Sequence, residues 1–326
     1  MLYDNHHRRI NYLRLAVTDR CNLRCFYCMP EEGIQYVNKK ALLTYEEMER
    51  LVRIMVGMGI EKVRITGGEP FVRKGMLGFM QRLSQIDGLK TINLTTNGTL
   101  TAKLVPQLKS IVSAVNLSID SLDRDRFREI TRRDALEDVL ATMRELLAHN
   151  IPTKLNCVVM PRHNIADILP LVALTKEYPI SVRFIEEMPF NGEGIQTDIS
   201  PWYYRDILKH IKSHYTDIYK IPDPPHATSI GYQIPGHKGS VGIIAAYSRT
   251  FCGTCNRIRM TPQGVLKTCL YDEGIFNLKD MMRAGASAEQ LRDTLLQALG
   301  NRAKDGWESE RNRTFGVSES MATIGG

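Results

Sequence analysis

Long apolar runs are missing from this 326-residue chain. None approaches the roughly 20 residues that cross a bilayer. The opening stretch, Met1 to Arg9, is polar and basic, with no apolar segment ahead of a cleavage site. These absences predict a cytoplasmic protein with no membrane partner. Internal repeats and low-complexity tracts are also absent, and no pair of carboxylates stands out as an acid–base couple. The cysteines do not come in an even number: the 7 thiols in a chain without a secretory signal exclude a disulfide framework and point to reduced sulfur. What is present is ordinary globular composition, 43% hydrophobic and 24% charged, which argues against disorder and supplies a large core. Lys and Arg exceed Asp and Glu by 7, an imbalance that favours an anionic partner without separating a nucleotide from a nucleic acid.

Hydrophobic spacing organises the chain into alternating elements. Thr44 and Glu47 form a capping-box pattern, and Met48, Leu51, Ile54, Met55 and Met58 recur at helical spacing until Gly59. A second strong helix is predicted over 135–149, with weaker ones over 74–86, 101–111 and 164–178. Short strands are predicted at 11–18, 62–66, 90–96, 114–119, 153–159 and 181–187. Six strand–helix units imply parallel pairing through right-handed crossovers, which suits an incomplete (βα)6 barrel better than a flat sheet. Past about residue 195 the pattern changes. Pro222, Pro224, Pro225 and Pro235 punctuate strand-like runs at Val241 to Tyr247 and Arg257 to Thr261, and helical spacing returns at Leu291, Leu295 and Leu299. The expected layout is therefore an α/β barrel over 1–195, an α+β extension over 196–300 and a polar tail over 301–326. A tail of that composition is expected to fray.

Strand parity says more than fold. Leu13, Leu15 and Val17 share a face opposite Arg14 and Thr18; Val63 and Ile65 oppose Lys62, Arg64 and Thr66; Leu155, Cys157 and Val159 oppose Lys154 and Asn156. Asn116 and Ser118 likewise oppose Leu117 and Ile119. If the apolar faces pack under helices, the cations converge on the barrel interior. An ordinary barrel fills that space with branched apolar side chains, so this one is expected to hold a cavity for an anion. The alternative is a sheet with one wet face, which parallel sheets rarely show.

Six of the cysteines fall in two trios. Cys21, Cys25 and Cys28 follow the first strand, where barrel chemistry sits. Three thiolates in eight residues can hold three corners of a four-iron cluster and leave one iron open, whereas a closed zinc site wants a fourth ligand that no nearby His supplies. This C-x3-C-x2-C loop, with an aromatic before its last cysteine, resembles the signature of the radical S-adenosylmethionine superfamily. The resemblance implies a [4Fe-4S] cluster whose open iron chelates S-adenosylmethionine. Gly67-Gly68-Glu69-Pro70 resembles the family's GGEP motif, which contacts the methionyl amino group; on its own it reads as a tight turn with Pro starting a helix.

The second trio, Cys252, Cys255 and Cys269, has spacing C-x2-C-x13-C beside Arg257-Ile258-Arg259. Zinc is the competing reading, with His237 or His226 as a fourth ligand. The pairing of both trios is specific and resembles the GTP 3′,8-cyclase family of molybdenum-cofactor biosynthesis. That resemblance runs through Tyr12-Leu13-Arg14-Leu15, Thr18-Asp19-Arg20-Cys21, Arg64-Ile65-Thr66, Leu94-Thr95-Thr96-Asn97-Gly98, Arg183-Phe184-Ile185-Glu186 and the terminal Gly325-Gly326. It implies a second [4Fe-4S] cluster on Cys252, Cys255 and Cys269 that binds the guanine of GTP. It places Arg14, Arg64, Thr95, Lys154, Arg257, Ile258 and Arg259 around GTP, with Lys62 and Arg183 as further additions and Arg257 and Arg259 as catalytic. Tyr27, Gly68, Ser118 and Met188 would line the S-adenosylmethionine site. The resemblance also implies a homodimer, an external electron donor, a downstream cyclic pyranopterin monophosphate synthase, no nucleic-acid partner, and a Gly-Gly end that reaches the active site.

The remaining candidates read plainly. Cys157 shares a face with Leu155 and Val159, so a buried inert thiol is expected. His6 and His7 beside Arg8 and Arg9 read as a solvated patch or a tail near the mouth. The mixed charge run Arg124 to Arg133 reads as an exposed helix face. Other enzymes with an auxiliary cluster, and a zinc-dependent nucleic-acid-binding protein, are the competing functions; metal content separates them.

Overall fold

Alternation of two-residue and 3.6-residue apolar periods produces strand–helix repeats, and the computed structural model shows how they assemble. It describes residues 1–191, 201–317 and 319–325. Six parallel strands follow one another in space in sequence order: β1 (Tyr12–Ala16), β2 (Lys62–Thr66), β3 (Thr91–Thr96), β4 (Ala114–Ser118), β5 (Thr153–Val159) and β6 (Ser181–Glu186). This is the expected partial barrel. Later segments extend it at both edges. The hairpin of β7 (Tyr219–Lys220), β8 (Ile230–Gln233) and β9 (Ser240–Ile244) joins through β9, which runs parallel to β6; β10 (Arg257–Met260) runs parallel to β1 and carries β11 (Val265–Lys267) and β12 (Phe276–Asn277). One 12-stranded sheet results, ending at β12 and β7. The expected boundary near 195 lies outside the described residues.

The helices cover the face that the strands' apolar residues present. Helix Tyr45–Met58 starts on the expected capping box, Thr44 Oγ1 accepting from the Glu47 amide at 3.1 Å while Glu47 Oε2 accepts from the Thr44 amide at 2.8 Å. Its Met48, Leu51 and Met55 join Leu13, Leu15, Val63, Ile65, Leu155 and Cys157 in one core. Helices Met76–Ser84, Leu136–Ala148, Ile168–Glu177 and Ala288–Gly300 add to it. The expected helix over 101–111 is shorter, a single turn at Ala102–Leu104 followed by Val105–Leu108, because Pro106 has no N–H to continue a helix already begun. With one face of the parallel strands buried under helices, the polar face of β1 to β6 is left to line an interior.

The tail departs from expectation. Rather than fraying, it forms the helices Gly306–Arg311 and Met321–Ile324, and Ala322 and Ile324 are buried. Polar composition misled here because the segment is ordered by what it packs against; Ile324 meets Phe190 and Tyr271.

Candidate active site

The first cysteine loop leaves the C-terminal end of β1 and is held from two sides. Gly67 and Gly68, at the end of β2, press their backbone against it: Gly68 N donates to Thr18 O at 2.8 Å and Glu69 N to Arg20 O at 2.8 Å. A Cβ on Gly68 would collide with the Arg20 carbonyl, and Gly67 has φ +145°, so only glycine fits this close approach. From the other side, Arg24 N donates to Thr131 O at 2.9 Å, and the Arg132 guanidinium reaches the carbonyls of Arg24 and Met29. Glu69 is fully buried and spends its carboxylate on Thr96 Oγ1 and the amides of Asn97 and Phe71, so the acidic member of the motif braces the loop after β3.

Cys21, Cys25 and Cys28 face a chamber of about 180 Å³ with Tyr27, Gly67, Gly68, Ser118 and Met188. Four of these are the positions expected around S-adenosylmethionine. Tyr27 donates to Asp120 Oδ2 at 2.8 Å and Cys21 Sγ accepts from Asn97 Nδ2 at 3.6 Å. Burial pushes the thiols up, Cys21 to about 11, Cys28 to about 12 and Cys25 well above its usual range. Such a trio becomes thiolate only against a metal's charge, which fits a cluster site.

A larger chamber, about 520 Å³, adjoins the first and shares Thr95, Asn156, Ile185, Met188 and Met321 with it. Sheet register builds its floor. Arg257, Tyr12 and Lys62 form one rung across β10, β1 and β2, and Arg259, Arg14 and Arg64 form another. Lys154 and Arg183 stand on β5 and β6. Like charges directly opposite one another are destabilising, and the buried Nε atoms of Arg14 and Arg257 have no hydrogen-bond partner. Among the described residues the only carboxylate in the wall is Asp223, which accepts from Gly231 N at 2.7 Å and lies 3.5 Å from Lys220. Burial and neighbouring Arg183 and Arg64 hold Lys154 down at about 8; burial and Arg64 bring Arg183 to about 10; burial and Arg257 do the same to Arg259. Against burial, Arg64 and Arg14 draw the Tyr12 phenol down to about 8. Every cation here would gain from a polyanion.

The second trio sits in the wall of this chamber, beside the cations. Burial raises Cys252 and Cys269; Cys255 goes the other way, held at about 6 against burial by the charges of Arg257 and Arg302. Of the two histidines weighed for zinc, His237 turns away to Thr175 Oγ1 at 2.7 Å, while His226 lies in the wall and bonds Thr254 O. Among the described residues no three of His, Cys, Asp and Glu form a ligand set for a single metal ion.

The structure therefore brings Arg14, Arg64, Thr95, Lys154, Arg257, Arg259, Lys62 and Arg183 into one chamber with Cys252, Cys255 and Cys269, and Tyr27, Gly68, Ser118 and Met188 into the other with Cys21, Cys25 and Cys28. Ile258 is the exception. Alternation along β10 turns its side chain into the core, 1% exposed, between the two inward arginines. Two features escaped the sequence. Arg8, read as part of a solvated patch, is buried and donates to the carbonyls of Cys252, Ala303 and Lys304. Arg302 reaches Cys255. The tail closes the junction of the chambers: Ser320 Oγ donates to Cys28 O at 2.5 Å, Met321 lines both spaces and Arg259 donates to Gly325 O at 2.7 Å. Gly326 lies outside the described residues.

Comparison with known proteins identifies the chain's relatives. Residues 15–175 match the family model described as Radical SAM superfamily and residues 180–307 the one described as Molybdenum Cofactor Synthesis C. A GTP 3′,8-cyclase of Syntrophomonas wolfei is 38% identical over 338 aligned positions, covering 100% of both chains. Molybdenum cofactor biosynthesis protein 1 of Bos taurus is 41% identical over 93% of this chain but 48% of its own, so the chain spans about half the length of such longer relatives. Among solved structures, Streptococcus suis SuiB has a TM-score of 0.64 over 94% of this chain and 69% of its own, at 14% identity, a likeness of fold alone.

Proposed function

The chain belongs to the GTP 3′,8-cyclase family of radical S-adenosylmethionine enzymes, and from that premise we propose that it converts GTP to (8S)-3′,8-cyclo-7,8-dihydroguanosine 5′-triphosphate, the first step of molybdenum-cofactor biosynthesis. One observation carries the reading: two adjacent rungs, Arg257–Tyr12–Lys62 and the all-arginine Arg259–Arg14–Arg64, form a cationic interior with the buried Nε donors of Arg14 and Arg257 left unpaired. A triphosphate satisfies such donors through bidentate charge-assisted hydrogen bonds. Cys21, Cys25 and Cys28 would hold a [4Fe-4S] cluster that with S-adenosylmethionine would supply a carbon radical able to take hydrogen from ribose C3′, and Cys252, Cys255 and Cys269 would hold a second [4Fe-4S] cluster that would bind the guanine.

The protein's own share is position and exclusion. Arg14, Arg64, Lys154, Arg257 and Arg259 hold the triphosphate so that the ribose lies at the junction walled by Thr95, Asn156, Ile185 and Met188. A reactive radical attacks whatever is nearest, so this placement sets the outcome. Met321 and Gly325 close that junction from the tail. The reaction draws on an external electron donor, and the family's homodimer, cytoplasmic setting and downstream cyclic pyranopterin monophosphate synthase come with the same reading.

The test is mass-spectrometric product analysis after anaerobic reconstitution, with S-adenosylmethionine, dithionite and GTP, against ATP and no nucleotide. The expected result is GTP-dependent 5′-deoxyadenosine with a cyclised GTP product. Robust 5′-deoxyadenosine with no GTP-derived product would reassign the substrate.

A further inference from the structure

The N-terminal hairpin, where Tyr3 pairs with Arg9, builds a buried charge cluster behind the second cysteine trio. Asp4 is its centre. Its carboxylate accepts from the amides of His6 at 3.0 Å and Arg8 at 2.9 Å, from Arg8 Nε at 2.6 Å and from Arg302 Nη1 at 3.0 Å. Side-chain exposure is 0% for Asp4, 8% for Arg8 and 3% for Arg302. Each arginine also reaches the Cys252–Cys255 loop, while Arg8 ties it to the carbonyls of Ala303 and Lys304. Arg8 Nη1 bonds Cys252 O at 3.1 Å; Arg302 bonds Cys255 O at 3.1 Å, Arg257 O at 3.0 Å and Cys255 Sγ at 3.2 Å. His6 completes the bracket through its Nε2, 2.9 Å from Arg302 O.

Charge counting exposes what this cluster is for. Two guanidinium groups and one carboxylate leave a surplus positive charge in a buried place, where an unbalanced charge is costly. The neighbour within hydrogen-bond reach that can carry a negative charge is the Cys255 sulfur. Hydrogen bonds to ligating sulfurs make the reduced, more negative state of an iron–sulfur cluster easier to reach. The inference rests on the reading that this trio holds a cluster. We propose that Arg302 is a positioning residue for the second cluster: braced by Asp4, it donates a charge-assisted hydrogen bond to the Cys255 thiolate, retaining the cluster and raising its reduction potential. The hairpin of residues 3–9 is thus part of the cluster site, although it contributes no ligand.

The test uses the full chain, reconstituted anaerobically, with Cys25→Ala introduced only to silence the first site. Second-cluster potential is read by redox titration with electron paramagnetic resonance, and retention by the rate of iron loss to a chelator. Arg302→Met should lower the reduction equilibrium about tenfold, about 59 mV for one electron, and speed iron loss about tenfold. Arg302→Lys keeps a cation beside Asp4, and so the fold, but loses the fork that reaches sulfur; it should shift the potential in the same direction. Asp4→Asn should give a smaller shift of that sign. Folded Arg302→Met and Arg302→Lys chains with unchanged potential and iron loss would overturn the inference alone. An otherwise native chain that takes up four irons, and none with Cys25→Ala, would overturn the cluster reading together with it.

Discussion

Replacing Arg14 with methionine should make the empty protein more stable and the substrate complex less so. Arg14 lies in register between Arg259 on β10 and Arg64 on β2, and its buried Nε has no partner. Burial and the charges of Arg259 and Arg64 hold its pKa well below the ordinary value, so the empty fold works against its protonated form. Two like-charge pairs at roughly 0.2–1 kcal/mol each set the relief from Arg14→Met at about 1 kcal/mol. In a chain of this size that corresponds to a rise in Tm of about 2 °C. The same side chain should contribute a charge-assisted hydrogen bond of about 1.5–3 kcal/mol to a triphosphate, so Kd for GTP should rise about 10- to 150-fold. Thermal unfolding with and without GTP reads both effects. At a GTP concentration 100 times the native Kd, the native chain gains about 2.7 kcal/mol, and the order of the two melting temperatures should reverse. A variant that melts lower when empty, or binds GTP within twofold of the native chain, would refute the account of this chamber as a cavity under mutual repulsion.

Three other outcomes follow from the same geometry. Cys25→Ser should abolish S-adenosylmethionine cleavage, whereas Cys269→Ser should retain uncoupled cleavage while losing cyclised product; equal cleavage in both would erase the division between the trios. Lys154 has a folded pKa near 8, depressed from its usual value by burial and by Arg183 and Arg64. Between that value and its unfolded pKa the unfolded chain binds the extra proton, so empty-state stability should rise with pH across the window. GTP prefers the protonated lysine, so affinity should be flat below pH 8 and fall up to about tenfold per unit above it. Calorimetric titrations of the native chain and Lys154→Met test this, and an equal slope in both removes Lys154 as the cause. Gly68→Ala should displace the cysteine loop and weaken S-adenosylmethionine binding while GTP affinity holds, checked by titrating each ligand.

The inward cations were legible because a strand's parity needs no knowledge of its partners. Arg14, Arg64 and Lys154 each oppose apolar neighbours within a few residues, and the helices' apolar stripes decide which face is out. Parity also reveals the flaw in treating Arg257-Ile258-Arg259 as one unit, since alternate residues of a strand cannot share a wall. The cysteine trios were legible from spacing. Arg302 and Asp4 were not: they meet across 298 positions, and nothing local distinguishes a buried aspartate four residues from the start from a solvated one. The tail's order was hidden from composition for a related reason, although the family resemblance implied a Gly-Gly end at the active site. Its order comes from Phe190, Tyr271 and the Arg259 guanidinium, partners that composition does not name.

The pairing of β1 with β10 has a consequence for how the molecule comes into being. Strand β1 is synthesised some 240 residues ahead of its neighbour on one side, Arg257–Met260. Until then β1 is an open parallel edge carrying Arg14 on one face, a state that invites pairing with another chain. Contacts of such separation also slow folding, because a long loop must close before they form. Iron delivered early would meet the first trio alone, with the wall that holds the second still unmade. Completion of the walls around the two cysteine trios is thereby ordered in time by the topology of the sheet.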